Sequence, residues 1–149
     1  MYKYILIIVS LVLISCSTST SESDIQKSQI SDILIHIEEG FNEFNADKII
    51  SYFHTDFLFD GKNLTNIYYD WQDRMTLYSM IKIEILDIEL QDDYATAYLK
   101  IYFYDTNNRY GPFLTPEMYG DLAYFFYDKG QWQLFGNQSP DKQLSTVKK

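Results

Sequence analysis

Several residues in this chain are of types that could do chemistry. His54-Thr55-Asp56 sets an imidazole near a carboxylate, which supplies two metal ligands where an ordinary site takes about four. A lone His beside an acid is more commonly a surface cap or a satisfied structural group, so no metal is expected. His36 has no predicted partner, and Glu38-Glu39 and Asp92-Asp93 read as solvated charges. The tyrosines are more informative. Tyr98, Tyr102 and Tyr104 fall on one face of a predicted strand, with Tyr124 and Phe126 on a neighbouring one. Trp71 and Tyr78 follow at helical spacing and could face the same hollow. Such an aromatic wall suits an apolar or ring-shaped ligand or a protein partner. The plainer reading is cross-strand packing.

Other chemistries are absent from the pattern. No Gly-x-Ser-x-Gly elbow and no phosphate-cradling glycine loop occurs, and no cofactor is expected. The single Cys, Cys16, excludes an intrachain disulfide and a cysteine-based zinc cage. Lys and Arg number 12 against 21 Asp and Glu, a formal charge of −9, so no phosphate-driven nucleic-acid binding is expected.

The elements that position these residues read from periodicity. At 149 residues the chain suits one domain. Asp24 is a candidate cap for a long helix whose apolar face is Ile30, Ile33, Leu34, Ile37, Phe41 and Phe44. Gly40 lies within it, marking either close packing or a weak point. A second helix carries Ile49, Ile50, Tyr52 and Phe53 and ends near His54. Phe57-Leu58-Phe59 then Asp60-Gly61 reads as strand and turn. Asn63 or Thr65 can cap a third helix with Leu64, Ile67, Tyr68, Trp71, Met75 and Tyr78 on its apolar face.

Beyond Tyr78 the period changes to two. Ile81, Ile83 and Ile85 alternate with polar residues, then the phase slips and Leu86, Ile88 and Leu90 take over. A one-residue slip would turn the apolar set to the opposite face. A β-bulge near Ile85-Leu86 absorbs it and predicts a long, strongly curved strand. Residues 95–104 form the next strand, residues 107–116 a loop, and residues 121–127 and 131–135 two more strands, four in all that can pair as a meander. Three N-terminal helices on a strongly curved, mostly antiparallel sheet is an α+β arrangement. Such a sheet wrapped around a helix makes a cone with an open mouth. The domain spans 25–138, with a loose tail at 139–149.

The N-terminus has its own pattern. One positive charge, Lys3, precedes an apolar run over 5–14, about half the length needed to cross a bilayer. Leu13-Ile14-Ser15-Cys16 resembles the lipobox of bacterial lipoproteins. That resemblance implies that residues 1–15 are a signal peptide and that Cys16 carries acyl chains, which removes it from thiol chemistry. Residues 16–24, with Ser17-Thr18-Ser19-Thr20-Ser21-Glu22-Ser23, read as a flexible tether. The chain is expected in the bacterial cell envelope, held to the inner or outer membrane through its lipid.

Three segments carry a resemblance to the nuclear-transport-factor-2-like, or cystatin-like cone, superfamily: Phe41-Asn42-Glu43-Phe44-Asn45-Ala46-Asp47, Tyr52-Phe53-His54-Thr55-Asp56-Phe57 and Trp132-Gln133-Leu134-Phe135-Gly136. The isomerases of that superfamily use a carboxylate base with a Tyr and a protonated Asp as oxyanion donors. The resemblance puts the base at Asp60. The donor Tyr falls near Glu39, and no Tyr occurs in residues 24–45. The resemblance therefore favours a non-enzymatic ligand-binding or interaction module, with a possible homodimer through the open sheet face. The alternative is a small cone-pocket isomerase, hydratase or cyclase with Asp60 as base and His54 or a Tyr as donor.

Overall fold

The computed structural model describes residues 21–137. The expected signal peptide, the lipobox-like Leu13-Ile14-Ser15-Cys16 and residues 138–149 lie outside them. Helix α1, Glu22–Asn42, buries Ile30, Leu34, Ile37 and Phe41, at spacings of four, three and four residues. Its cap is Ser21, not Asp24. Asp24 donates its N–H to Ser21 Oγ at 3.1 Å and its carboxylate accepts the Ser21 N–H at 3.3 Å, a capping box that carries the helix into the serine-rich segment. Helix α2, Ala46–Ile50, is shorter than its apolar pattern suggests and gives way to turns through Phe53. Gly40 marks close packing: a Cβ there would meet Ile49 Cγ1 at 3.0 Å.

Strands β1, Leu58–Phe59, and β2, Lys62–Asn63, form a small hairpin. Its turn residues Asp60 and Gly61 have φ of 47° and 77°, as the Asp-Gly dipeptide favours. Asn63 caps α3, Leu64–Leu77, through a reciprocal bond pair with Asn66.

The main sheet begins with β3, Met80–Gln91, and β4, Tyr94–Tyr104. Ile85 pairs with Leu99 and Asp87 with Tyr98, so Leu86 is the extra residue of a bulge at the predicted phase slip. On β4, Ala95, Ala97, Leu99, Ile101 and Phe103 are buried and the alternating residues half-buried. The predicted 107–116 loop contains a strand, β5, Arg109–Leu114. Strands β6, Tyr124–Asp128, and β7, Gln131–Leu134, complete a five-stranded sheet. The arrangement is not the expected meander. Strand β5 pairs with β4 at Lys100 to Tyr104 and β6 pairs with β4 at Tyr94 to Thr96, so both extend the same strand at opposite ends. A 3₁₀ turn, Gly120–Leu122, occupies the start of the predicted 121–127 strand.

The sheet is strongly curved and closes over α1 and α3 as an α+β cone. Helix α1 lies along the free edge of β3, where Glu38 accepts the Ile83 N–H at 2.7 Å and the Lys82 ammonium at 2.9 Å. Asn42 accepts the Ile81 N–H at 2.9 Å. Glu38 is thus a structural acceptor that protects an edge strand, not the solvated charge expected. His36 also has partners: its ring stacks on Tyr52 at 5.7 Å and its Nδ1 meets Glu39 at 3.1 Å.

Candidate functional site

The interior of the cone is aromatic, with one ion pair in it. Phe41 meets Trp71 edge-on at 5.9 Å and Phe103 at 5.7 Å. Phe103 lies 5.1 Å from Tyr119, which lies 5.2 Å from Phe113. Into this cluster α3 projects Arg74, whose guanidinium sits 4.5 Å from the Trp71 ring centre and 4.8 Å from that of Tyr119. The guanidinium thus lies over two rings at once. One of its N–H groups donates to Asp121 at 2.9 Å. The Asp121 side chain is 2% exposed and that of Arg74 17%, so the pair is sunk among these rings with Arg74 as its less buried member. Tyr119 is turned to this place by a left-handed backbone, φ 54°. Burial pushes its phenol pKa up, against a partial opposing pull from Arg74. Trp71 buries its indole N–H with no partner among the described residues.

The aromatic residues singled out from sequence do not share one hollow. Trp71 is fully buried in the core. Tyr78, just after α3, packs at 4.7 Å on Phe103 and 5.3 Å from Tyr110. These two lie on the concave side of the sheet. Tyr98, Tyr102 and Tyr104 alternate with the buried residues of β4 and take the opposite, convex side. There Tyr98 donates to Glu89 at 2.9 Å, which pushes its pKa up, and Arg109 covers Tyr102 at 5.3 Å. Tyr94 pairs with Phe126 and Thr96 with Tyr124, so the convex face continues onto β6 as expected. The expectation that all these rings wall one cavity is corrected by the alternation of a single strand.

Asp60 is exposed at the hairpin turn and clasped by Asn137. Its Oδ1 accepts from Asn137 Nδ2 at 2.7 Å, and its N–H donates to Asn137 Oδ1 at 3.3 Å. His54 is buried, tilted against Phe135 at 5.2 Å. Its Nδ1 accepts the Asp56 N–H at 3.0 Å, so Nε2 carries the proton and faces Asp128 at 3.3 Å. Burial opposes ionisation of Asp128, but the His54 bond and the Lys129 ammonium outweigh it and hold that carboxyl below its ordinary value. Among the described residues no three His, Cys, Asp or Glu side chains gather as a metal site, and no helix is long and apolar enough to cross a membrane.

Arg74, Tyr119 and Asp121 were not singled out from sequence. Arg74 carries a signal, as the only cation in residues 64–77 and one turn beyond Trp71. Asp121 carries none, since it reads as the polar start of a strand.

No family model and no curated protein matches the chain. Solved structures do. An NTF2-like protein of unknown function from Shewanella oneidensis superposes with a TM-score of 0.56 at 12% identity, over 74% of this chain and 94% of that one. A candidate dehydratase of the NTF2-like family from Streptomyces avermitilis gives 0.54 at 12% identity, over 76% and 94%. Bd1075 of Bdellovibrio bacteriovorus gives 0.57 at 12%, over 80% of this chain; the chain spans 43% of that protein. The architecture is therefore the NTF2-like cone. At this identity the likeness carries the fold alone.

Proposed function

We propose that this chain is a lipid-anchored protein of the bacterial cell envelope whose cone domain binds a small apolar ligand or a protein partner without catalysis. Leu13-Ile14-Ser15-Cys16 after a short apolar run supports the anchor. Each acyl CH₂ buried adds about 0.8 kcal/mol, so two or three chains hold a domain firmly to a membrane. The acidic body supplies no attraction to anionic lipid of its own.

The observation that carries the binding reading is the Arg74–Asp121 pair set among aromatic rings. A partly open guanidinium edge can hold a polar group of a ligand whose remainder packs on Tyr78 and Tyr119. The groups that could move protons are occupied otherwise: Asp121 is sunk against Arg74, both His54 nitrogens are engaged, and Asp60 bonds Asn137 outside the cone. The half-buried tyrosines of the convex face would serve a homodimer. The isomerase, hydratase or cyclase reading would need Asp121 rather than Asp60 as its base, because Asp121 is the buried carboxylate among the described residues and Asp60 is exposed.

Radiolabelled palmitate fed to cells tests the anchor. Label is expected on the parent chain and not on Cys16→Ala, which should leave the membrane fraction; equal labelling rejects the tether.

A further inference from the structure

A concavity lies away from the Arg74–Asp121 pair and shares no residue with the rings around it. It is a groove of about 340 Å³ between the N-terminal half of α1 and the β6–β7 turn. This falls in the range of about 300–1,000 Å³ that small-molecule sites occupy. Helix α1 contributes Gln29 and Asp32, Tyr52 follows α2, and β7 contributes Gln131, Trp132 and Gln133. We propose that this groove binds a neutral saccharide.

The lining chemistry selects that class. No Lys or Arg lines the groove, and the chain carries a formal charge of −9, so an anion finds no counter-charge. Asp32 is the one carboxylate, too few for a cation cage. Three carboxamides remain, and none is engaged with another group among the described residues. Each offers a donor and an acceptor in one plane, the complement of adjacent hydroxyls or of an acetamido group. The half-buried ring of Tyr52 supplies apolar surface for the C–H face of a sugar, and the edge of the buried Trp132 borders it.

A peptide adding as a strand is disfavoured. At Leu134 the neighbouring edge of β7 is already paired, its N–H donating to the Tyr52 carbonyl at 2.9 Å and its carbonyl accepting from His54 at 2.8 Å, which leaves a short stretch for a strand to join. Recognition there falls to side chains, which suits a ligand whose own polar groups are hydroxyls on a ring.

The groove carries its own reporter, since Trp71 and Trp132 are the only tryptophans and Trp71 is sealed in the core. The full chain, held in a detergent without a sugar headgroup, is titrated with cellotetraose, with the N-acetylglucosamine tetramer and with tetraalanine. Either sugar is expected to shift tryptophan emission, and Trp132→Phe to abolish the shift while calorimetry still records binding. Gln131→Ala with Gln133→Ala should weaken the sugar about tenfold, the loss of two hydrogen bonds, at unchanged melting temperature. No heat and no shift with either sugar up to about 10 mM overturns the proposal. So does a double variant that binds as well as the parent, or tetraalanine binding in preference to both sugars.

Discussion

Thr115 Oγ1 accepts the Leu99 N–H at 2.9 Å in the middle of β4, where no strand is available to pair with it. The same hydroxyl donates to the Ala97 carbonyl at 2.8 Å. Strand β5 leaves β4 at Lys100 and β6 joins it only at Thr96. Thr115 fills the gap from a position 3% exposed. Without it, two backbone groups would be buried and unpaired.

Thr115→Val keeps the shape and removes the hydroxyl. It should destabilise the fold by about 1–3 kcal/mol, the cost of orphaning buried backbone groups. Thr115→Ser should retain most of the stability. Urea unfolding of the three proteins decides; a valine variant as stable as the parent would mean that water reaches the gap.

Arg74→Met strands the Asp121 carboxylate among aromatic rings. Removing one partner of a buried pair typically costs about 3–5 kcal/mol. Arg74→Met combined with Asp121→Leu should recover part of that loss, because the second change removes the stranded charge. The double-mutant cycle in denaturant reads the coupling directly.

Asp105 is held at a pKa of about 2, against an ordinary 3.8, first by the Tyr110 hydroxyl and then by the N–H groups of Asn107 and Asn108. A carboxyl with a lowered folded pKa stabilises the fold fully above its unfolded value. That contribution is lost as pH falls from about 4 through about 2. Melting temperatures between pH 5 and pH 2 should fall more steeply for the parent than for Asp105→Asn, the group being exposed and the difference small. Parallel curves would remove the assigned bonds.

Gly136 and Gly130 make a matched pair. Both have positive φ, 87° and 88°. A Cβ on Gly136 would fall on the Leu58 carbonyl oxygen, whereas one on Gly130 meets nothing within 4 Å. Gly130→Ala should therefore cost only the backbone strain, about 1 kcal/mol. Gly136→Ala should cost clearly more, because the C-terminal segment must move off β1. Thermal unfolding ranks them.

Local patterns were legible in the sequence wherever neighbours along the chain decide the outcome. The buried stripe of α1, the Asn63 cap, the Asp60-Gly61 turn and the slip from Ile85 to Leu86 all follow from side-chain period and turn chemistry within about a dozen residues. The cone followed from them, since a curved strand and amphipathic helices leave few ways to bury both apolar faces. The lipobox resemblance of Leu13-Ile14-Ser15-Cys16 is an expectation of the same local kind and falls outside the described residues. What only tertiary structure decided is which groups separated along the chain meet. Glu38 was assigned to solvent because its partner, the Ile83 N–H, lies 45 positions away. Asp121 gained its meaning from Arg74, 47 positions earlier. Strand β5 was hidden because all its residues but Phe113 are exposed and its pairing partner on β4 is supplied by the fold rather than by an apolar face. The groove beside Trp132 draws on three distant segments, and a carboxamide alone in a sequence gives no sign of the cavity it will line.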